Sequence, residues 1–154
     1  MTVILFLCVG LVIIGFICYK IGKHIRKKDR ISKDGEKFNI VEVYTDNKLL
    51  LKLIGVKTAW DFKSNNNEKS NVVVFETSTG IDFVQVNAFN GMLGIQTELA
   101  YVSSVYPGFK ATMQSLMDIK INGKILPCDL IHYKNNETGE EKDIYYEISS
   151  FYGK

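Results

Sequence analysis

Imidazole and thiol groups are scarce in this chain, which holds two histidines, three cysteines and one tryptophan in 154 residues. His24 sits beside an apolar block, so His132 is the only imidazole beyond Phe38. Cys128 and His132 share one face of an expected strand, but four residues at about 3.3 Å each hold their backbones roughly 13 Å apart. A thiolate and its base must come within hydrogen-bond reach, so the two form no dyad. One His and one Cys also fall short of the three or four protein ligands of a zinc site. Glu137, Glu140, Glu141 and Asp143 crowd one turn without the spacing of a calcium loop, and a solvated acidic hairpin accounts for them. Gly80, Gly91, Gly94, Gly123 and Gly139 stand singly, which excludes Walker and dinucleotide glycine patterns. No catalytic residue, metal or cofactor is expected, and the chain reads as not an enzyme. Cys8 and Cys18 are about 15 Å apart along a helix, too far to bridge, and Cys128 is alone in its segment. This usage leans toward a reducing compartment.

What the sequence does have is one uninterrupted apolar block. Val3 to Tyr19 is 17 residues without charge. As a helix it rises roughly 26 Å, and with Thr2, Lys20, Ile21 and Gly22 it reaches the roughly 30 Å of a hydrocarbon core. Only Met1 and Thr2 precede the run and no small residue precedes Cys8 or Cys18, unlike a cleaved secretory or lipoprotein signal. Residues 1–22 therefore read as a permanent transmembrane helix, with residues 3–19 in the lipid bilayer. Residues 23–37 form a basic juxtamembrane linker, and 38–154 are enough for one globular domain.

Charge gives the orientation. Residues 1–37 carry a net charge of +5 and residues 38–154 a net of −3. All the cations of the first segment flank the C-terminal end of the span, so the positive-inside bias places the domain in the cytoplasm of a single-pass cell-membrane protein. Lys23, Arg26, Lys27, Lys28 and Arg30 can also rest on anionic head groups, at about 1 kcal/mol per cation. No aromatic residue interleaves with them and the rest of the chain is acidic, so no nucleic-acid partner is expected.

From Phe38 onward the pattern changes to short β-branched and aromatic runs between turn residues. The spacing predicts a hairpin of Phe38–Tyr44 and Leu49–Ile54 with the four-residue loop Thr45–Lys48, and a second of Asn71–Thr77 and Ile81–Phe89. Asn122-Gly123 accepts the positive φ angles of a two-residue turn between Met113–Ile121 and Ile125–Tyr133. Asp143–Phe151 then completes an antiparallel meander. Gln96–Tyr106 reads as one short helix after the loop Asn90–Gly94, with Leu99, Val102 and Tyr106 as its buried stripe and Pro107-Gly108 as its stop. Asn65–Ser70 is too polar to bury. The fold class is α+β: a transmembrane helix followed by a small antiparallel-sheet domain with one packed helix.

Three aromatic residues are candidate binding residues. Trp60, in the stretch Gly55–Phe62, is expected outside a strand, plugging the end of the sheet. Tyr145 and Tyr146 must face opposite sides of a strand, one in the core and the other free to anchor a protein partner.

The order of these elements, with a Trp-containing bend (KTAWDF), the INGK turn and the closing YYEISS, resembles the PsbP and DcrB-like α/β/α sandwich family over roughly residues 38–152. The resemblance implies a small, noncatalytic, membrane-tethered or lipid-anchored bacterial accessory protein, and it supplies no catalytic residues. Two departures stand out. Lys57, Thr58 and Ala59 replace the proline often found ahead of the family tryptophan, and the last strand and closing helix expected after Lys154 are missing, as in a shortened copy. An uncovered sheet face would favour self-association, and the lipid-anchored members imply the alternative, extracytoplasmic placement. Two functions follow: a tethered binding or accessory module, or a small-ligand binder or enzyme with a cleft near Trp60.

Overall fold

A computed structural model of the chain describes residues 38–154, and the expected span 3–19 and the basic residues Lys23 to Arg30 lie outside them. Residues 38–154 cluster as one compact unit. The described chain is mostly sheet with a single helix, in the order β1 (Val41–Thr45), β2 (Lys48–Lys63), β3 (Lys69–Thr77), β4 (Asp82–Asn87), α1 (Gly91–Val105), β5 (Phe109–Ile121), β6 (Lys124–Asn135) and β7 (Glu141–Glu147).

The strands close into a barrel in the order β1-β2-β3-β4-β7-β6-β5. Every pairing is antiparallel except one. The chain leaves β4 through α1, runs the β5–β6–β7 meander, and returns to lay β7 parallel beside β4, with Val84 opposite Tyr146. A purely antiparallel sheet was the expectation, and the α1 crossover is what reverses this pair. Closure is narrow, because β5 meets β1 only at Ile121 and Lys120, opposite Val43 and Tyr44. Over Lys110–Leu116 every residue of β5 is exposed.

Two elements are longer than their sequence pattern suggests. The first turn has two residues instead of four: Asp46 (φ 47°) and Asn47 (φ 60°) both take the left-handed region that short polar side chains tolerate. Strand β2 then runs 16 residues, so Trp60 lies within a strand, paired with Val72, and KTAWDF is part of that strand. Register shifts at Leu53/Gly55 and Val56/Thr58 explain the misreading, since an extra residue at each breaks the alternation while bending the strand as closure requires. The Asn122-Gly123 turn is as expected, with φ values of 49° and 80°.

Helix α1 begins earlier than the expected Gln96. The Asn90 side chain accepts a hydrogen bond from the Leu93 N–H at 2.8 Å, capping a first turn that contains Gly91 and Gly94. At the other end, the Tyr106 N–H donates to the Val102 carbonyl at 2.8 Å before Pro107 and Gly108. Strand β7 stops at Glu147, and the chain folds back so that the Ser150 hydroxyl donates to the Val86 carbonyl and accepts from the Ala88 N–H. That return seats Phe151 against α1.

Each face of the central strands carries its own apolar cluster. One joins Val72, Val84, Ile144 and Tyr146 to Leu93, Tyr101 and Val102 of the helix. The other joins Val43, Leu51, Leu53, Phe83, Cys128 and Tyr145.

Candidate functional site

Helix α1 covers only part of its sequence stripe. Leu99, expected inside, is 53 % exposed, and with Met92 (75 %) and Ile95 (56 %) it forms an apolar ridge at helical spacing i, i+3, i+7. Phe89, one residue ahead of the cap, is exposed as well. Facing the sheet are Leu93, Thr97, Glu98, Tyr101 and Val102, so two polar residues lie where apolar ones are usual. Val102 alone of the expected stripe is fully inside, and Tyr106 is half-buried.

The polar residues under the helix are placed differently from each other. Thr97 donates to the Leu93 carbonyl and meets the Ser70 hydroxyl at 2.6 Å, which satisfies it fully. Glu98 is 4 % exposed and its Oε1 has no hydrogen-bond partner among the described residues. Burial pushes its carboxyl up to about 8, helped by the charge of Asp129. Burial raises Asp129 as well, opposed by a 2.9 Å hydrogen bond from Gln114 Nε2. The Tyr133 and Tyr146 hydroxyls meet at 3.3 Å nearby. On the other side of the helix, Asp82 accepts hydrogen bonds from Tyr101 and Tyr106, and its second oxygen lies 3.7 Å from Lys57 Nζ.

Open clefts flank the helix N-terminus. One of about 570 Å³ is lined by Phe62, Lys63, Lys69, Asn71, Asn87 and Phe89, among others. A neighbour of about 370 Å³ shares Phe62, Lys63 and Ser70 and adds Gln96 and Thr97 of α1.

The residues singled out from sequence fall elsewhere. Trp60 is half-buried, its ring 5.4 Å from Tyr101 and 6.4 Å from Phe62, with Nε1 donating to Thr58 at 2.9 Å. The clefts open two residues further along β2, at Phe62. Tyr145 (8 % exposed) and Tyr146 (0 %) are both buried, which corrects the expectation that one is a surface anchor. Alternation does send them to opposite faces, but both faces are covered. Cys128 is fully buried, and burial raises its thiol. His132 instead pairs with Asp143 at 2.6 Å on the surface. Among the described residues, no group of three His, Cys, Asp or Glu is placed to hold a metal ion.

Sequence reasoning missed the Met92–Ile95–Leu99 ridge and Glu98. A signal was present in α1 itself, where either stripe has the right period and only the sheet beneath decides which is covered. Comparison of the chain with protein families, curated proteins and solved structures finds no match.

Proposed function

We propose that the chain is a noncatalytic binding or accessory module held at the cell membrane by residues 3–19, with the 38–154 domain on the cytoplasmic side. The outer face of α1 and the clefts beside it form its interaction face. The observation that carries a binding role is the orientation of the helix: three apolar residues face solvent while Thr97 and Glu98 occupy the interior. The tether and its direction rest on the uncharged run Val3–Tyr19 and on the cations that follow it.

The test uses the full-length chain in cells. It is expected to stay with membranes through alkaline carbonate extraction and to keep its first residues. Ser115→Cys, at an exposed position of β5, is expected to react with an impermeant thiol reagent only after lysis; Cys128, fully buried, is unsuited to this assay. Mature protein starting beyond Tyr19, or chain in the soluble fraction, overturns the tether. Labelling of intact cells overturns the cytoplasmic placement.

A further inference from the structure

We infer that the Met92–Ile95–Leu99 ridge is a bilayer-contacting face, which seats the domain on an anionic lipid surface through the helix; the inference rests on the membrane tether and names the occupant of the same interaction face.

Three features of the molecule select lipid. First, none of the exposed residues of α1 is charged: beside the ridge lie Gln96, Ser103 and Ser104, and the only ionisable acid of the helix, Glu98, points inward. An apolar stripe with a neutral polar border is the face an interfacial helix lays into head groups.

Second, the surroundings are cationic on one side. Lys63 shares a cleft with Gln96, and Lys63 and Lys69 share the other with Phe89. Lys154 follows the Phe151 return, its carbonyl beside Gly91. All three lysines are exposed and form no ion pair among the described residues, although Asp61 lines the same cleft and Glu68 precedes Lys69, which leaves an excess of one cation. The acids Glu137, Glu140, Glu141 and Asp143 sit at the opposite end of β7, where they outnumber Lys134 and Lys142, which pair with Glu141 and Glu140. An anionic surface therefore attracts the ridge end and repels the turn.

Third, the proposed tether is short. Only 18 residues, 20–37, separate the apolar run from Phe38. At no more than about 3.6 Å per residue, they reach at most about 65 Å. A domain with a radius of gyration of about 13 Å is thus confined beside the bilayer, where even weak contacts are populated.

The test is made on full-length chain reconstituted in vesicles of phosphatidylcholine and phosphatidylglycerol at 3:1, with brominated acyl chains as quencher. Ile95→Trp adds a reporter on the ridge, and Thr138→Trp adds one on the acidic turn. The native chain, whose single tryptophan Trp60 is half-buried, sets the baseline. At least twofold quenching is expected from position 95 and none beyond baseline from 138. The position-95 signal is expected to fall at least twofold in pure phosphatidylcholine or with Lys63→Glu and Lys69→Glu together. Co-floating chain with equal quenching at the two positions, or none at either, overturns the lipid-facing ridge and leaves the tether standing. Cross-linking between copies through Ile95→Cys, rising with the protein-to-lipid ratio, assigns the ridge to a second copy and also overturns it. Chain that does not float with vesicles at all removes both the tether and this inference.

Discussion

Raising the pH from 5 to 9 is expected to destabilise the domain steeply, and Glu98→Gln to remove most of that loss. Glu98 lies between α1 and the sheet with one oxygen unpartnered, facing Asp129 and Tyr133 of β6 and Tyr146 of β7. Its carboxyl, ordinarily near 4.5, is held at about 8, first by desolvation and then by Asp129. The native state thus keeps a proton that the unfolded chain releases. Stability is fully present below the unfolded value, falls by about 1.4 kcal/mol per pH unit above it, and levels off past the folded value, a total of at most about 5 kcal/mol. Asp129 is raised too and pushes in the same direction. Glu42 and Glu141, held down by hydrogen bonds from Lys52 and Lys134, act only on the acid side of the ordinary carboxylate range. Thermal unfolding of the full-length chain in mild detergent, followed by circular dichroism across this range, is the measurement. The variant and native curves should nearly coincide at pH 5 and diverge by several kcal/mol, with the variant more stable, by pH 9. Parallel curves would show that Glu98 titrates normally and is not sealed beneath the helix.

The second large effect lies where the C-terminal return meets α1. A Cβ built on Gly94 falls 2.4 Å from Phe151 Cε2, and the ring is 5 % exposed, so the helix backbone and the ring touch directly. Gly94→Ala gains about 1 kcal/mol of helix propensity yet must move a packed ring, and a net loss of about 1–3 kcal/mol is expected. Phe151→Ala empties the same space at a cost of about 3–5 kcal/mol. In the double variant the new methyl occupies part of the void, and its cost is expected to fall short of the sum of the singles by at least about 1 kcal/mol. Denaturant titration of the four proteins measures this. Additive costs would mean that the ring and the helix relax independently, and that the tail does not hold α1 as the packing indicates.

The contact between Gly94 and Phe151 also shows why the helix start was hard to read. Gly91 and Gly94 have poor helix propensity, so NGMLG looks like a loop. The cap at Asn90 and the need for a bare backbone under an aromatic ring reverse that judgement, and the ring comes from 57 residues further along the chain. The extra residues in β2 hid Trp60 within a strand for a related reason, since bulges serve barrel closure and follow no local period. Alternation sends Tyr145 and Tyr146 to opposite faces, but burial of Tyr145 as well as Tyr146 depends on the second apolar cluster, which covers Tyr145 and is assembled from β1, β2, β4, β5 and β6.

Local chemistry by itself determined that this chain has a strand-rich domain with one helix, a tight Asn122-Gly123 hairpin, and an apolar leader followed by cations. Those features depend on neighbouring residues alone: side-chain period, tolerance of positive φ, and runs without charge. Only the tertiary structure decided which stripe of α1 is covered, that β7 lies parallel to β4, and that Glu98 is sealed away from water. Each of these depends on surfaces brought together from distant parts of the chain. Burial free energy belongs to such a pair of surfaces, and the residues of one surface do not encode which other will cover it.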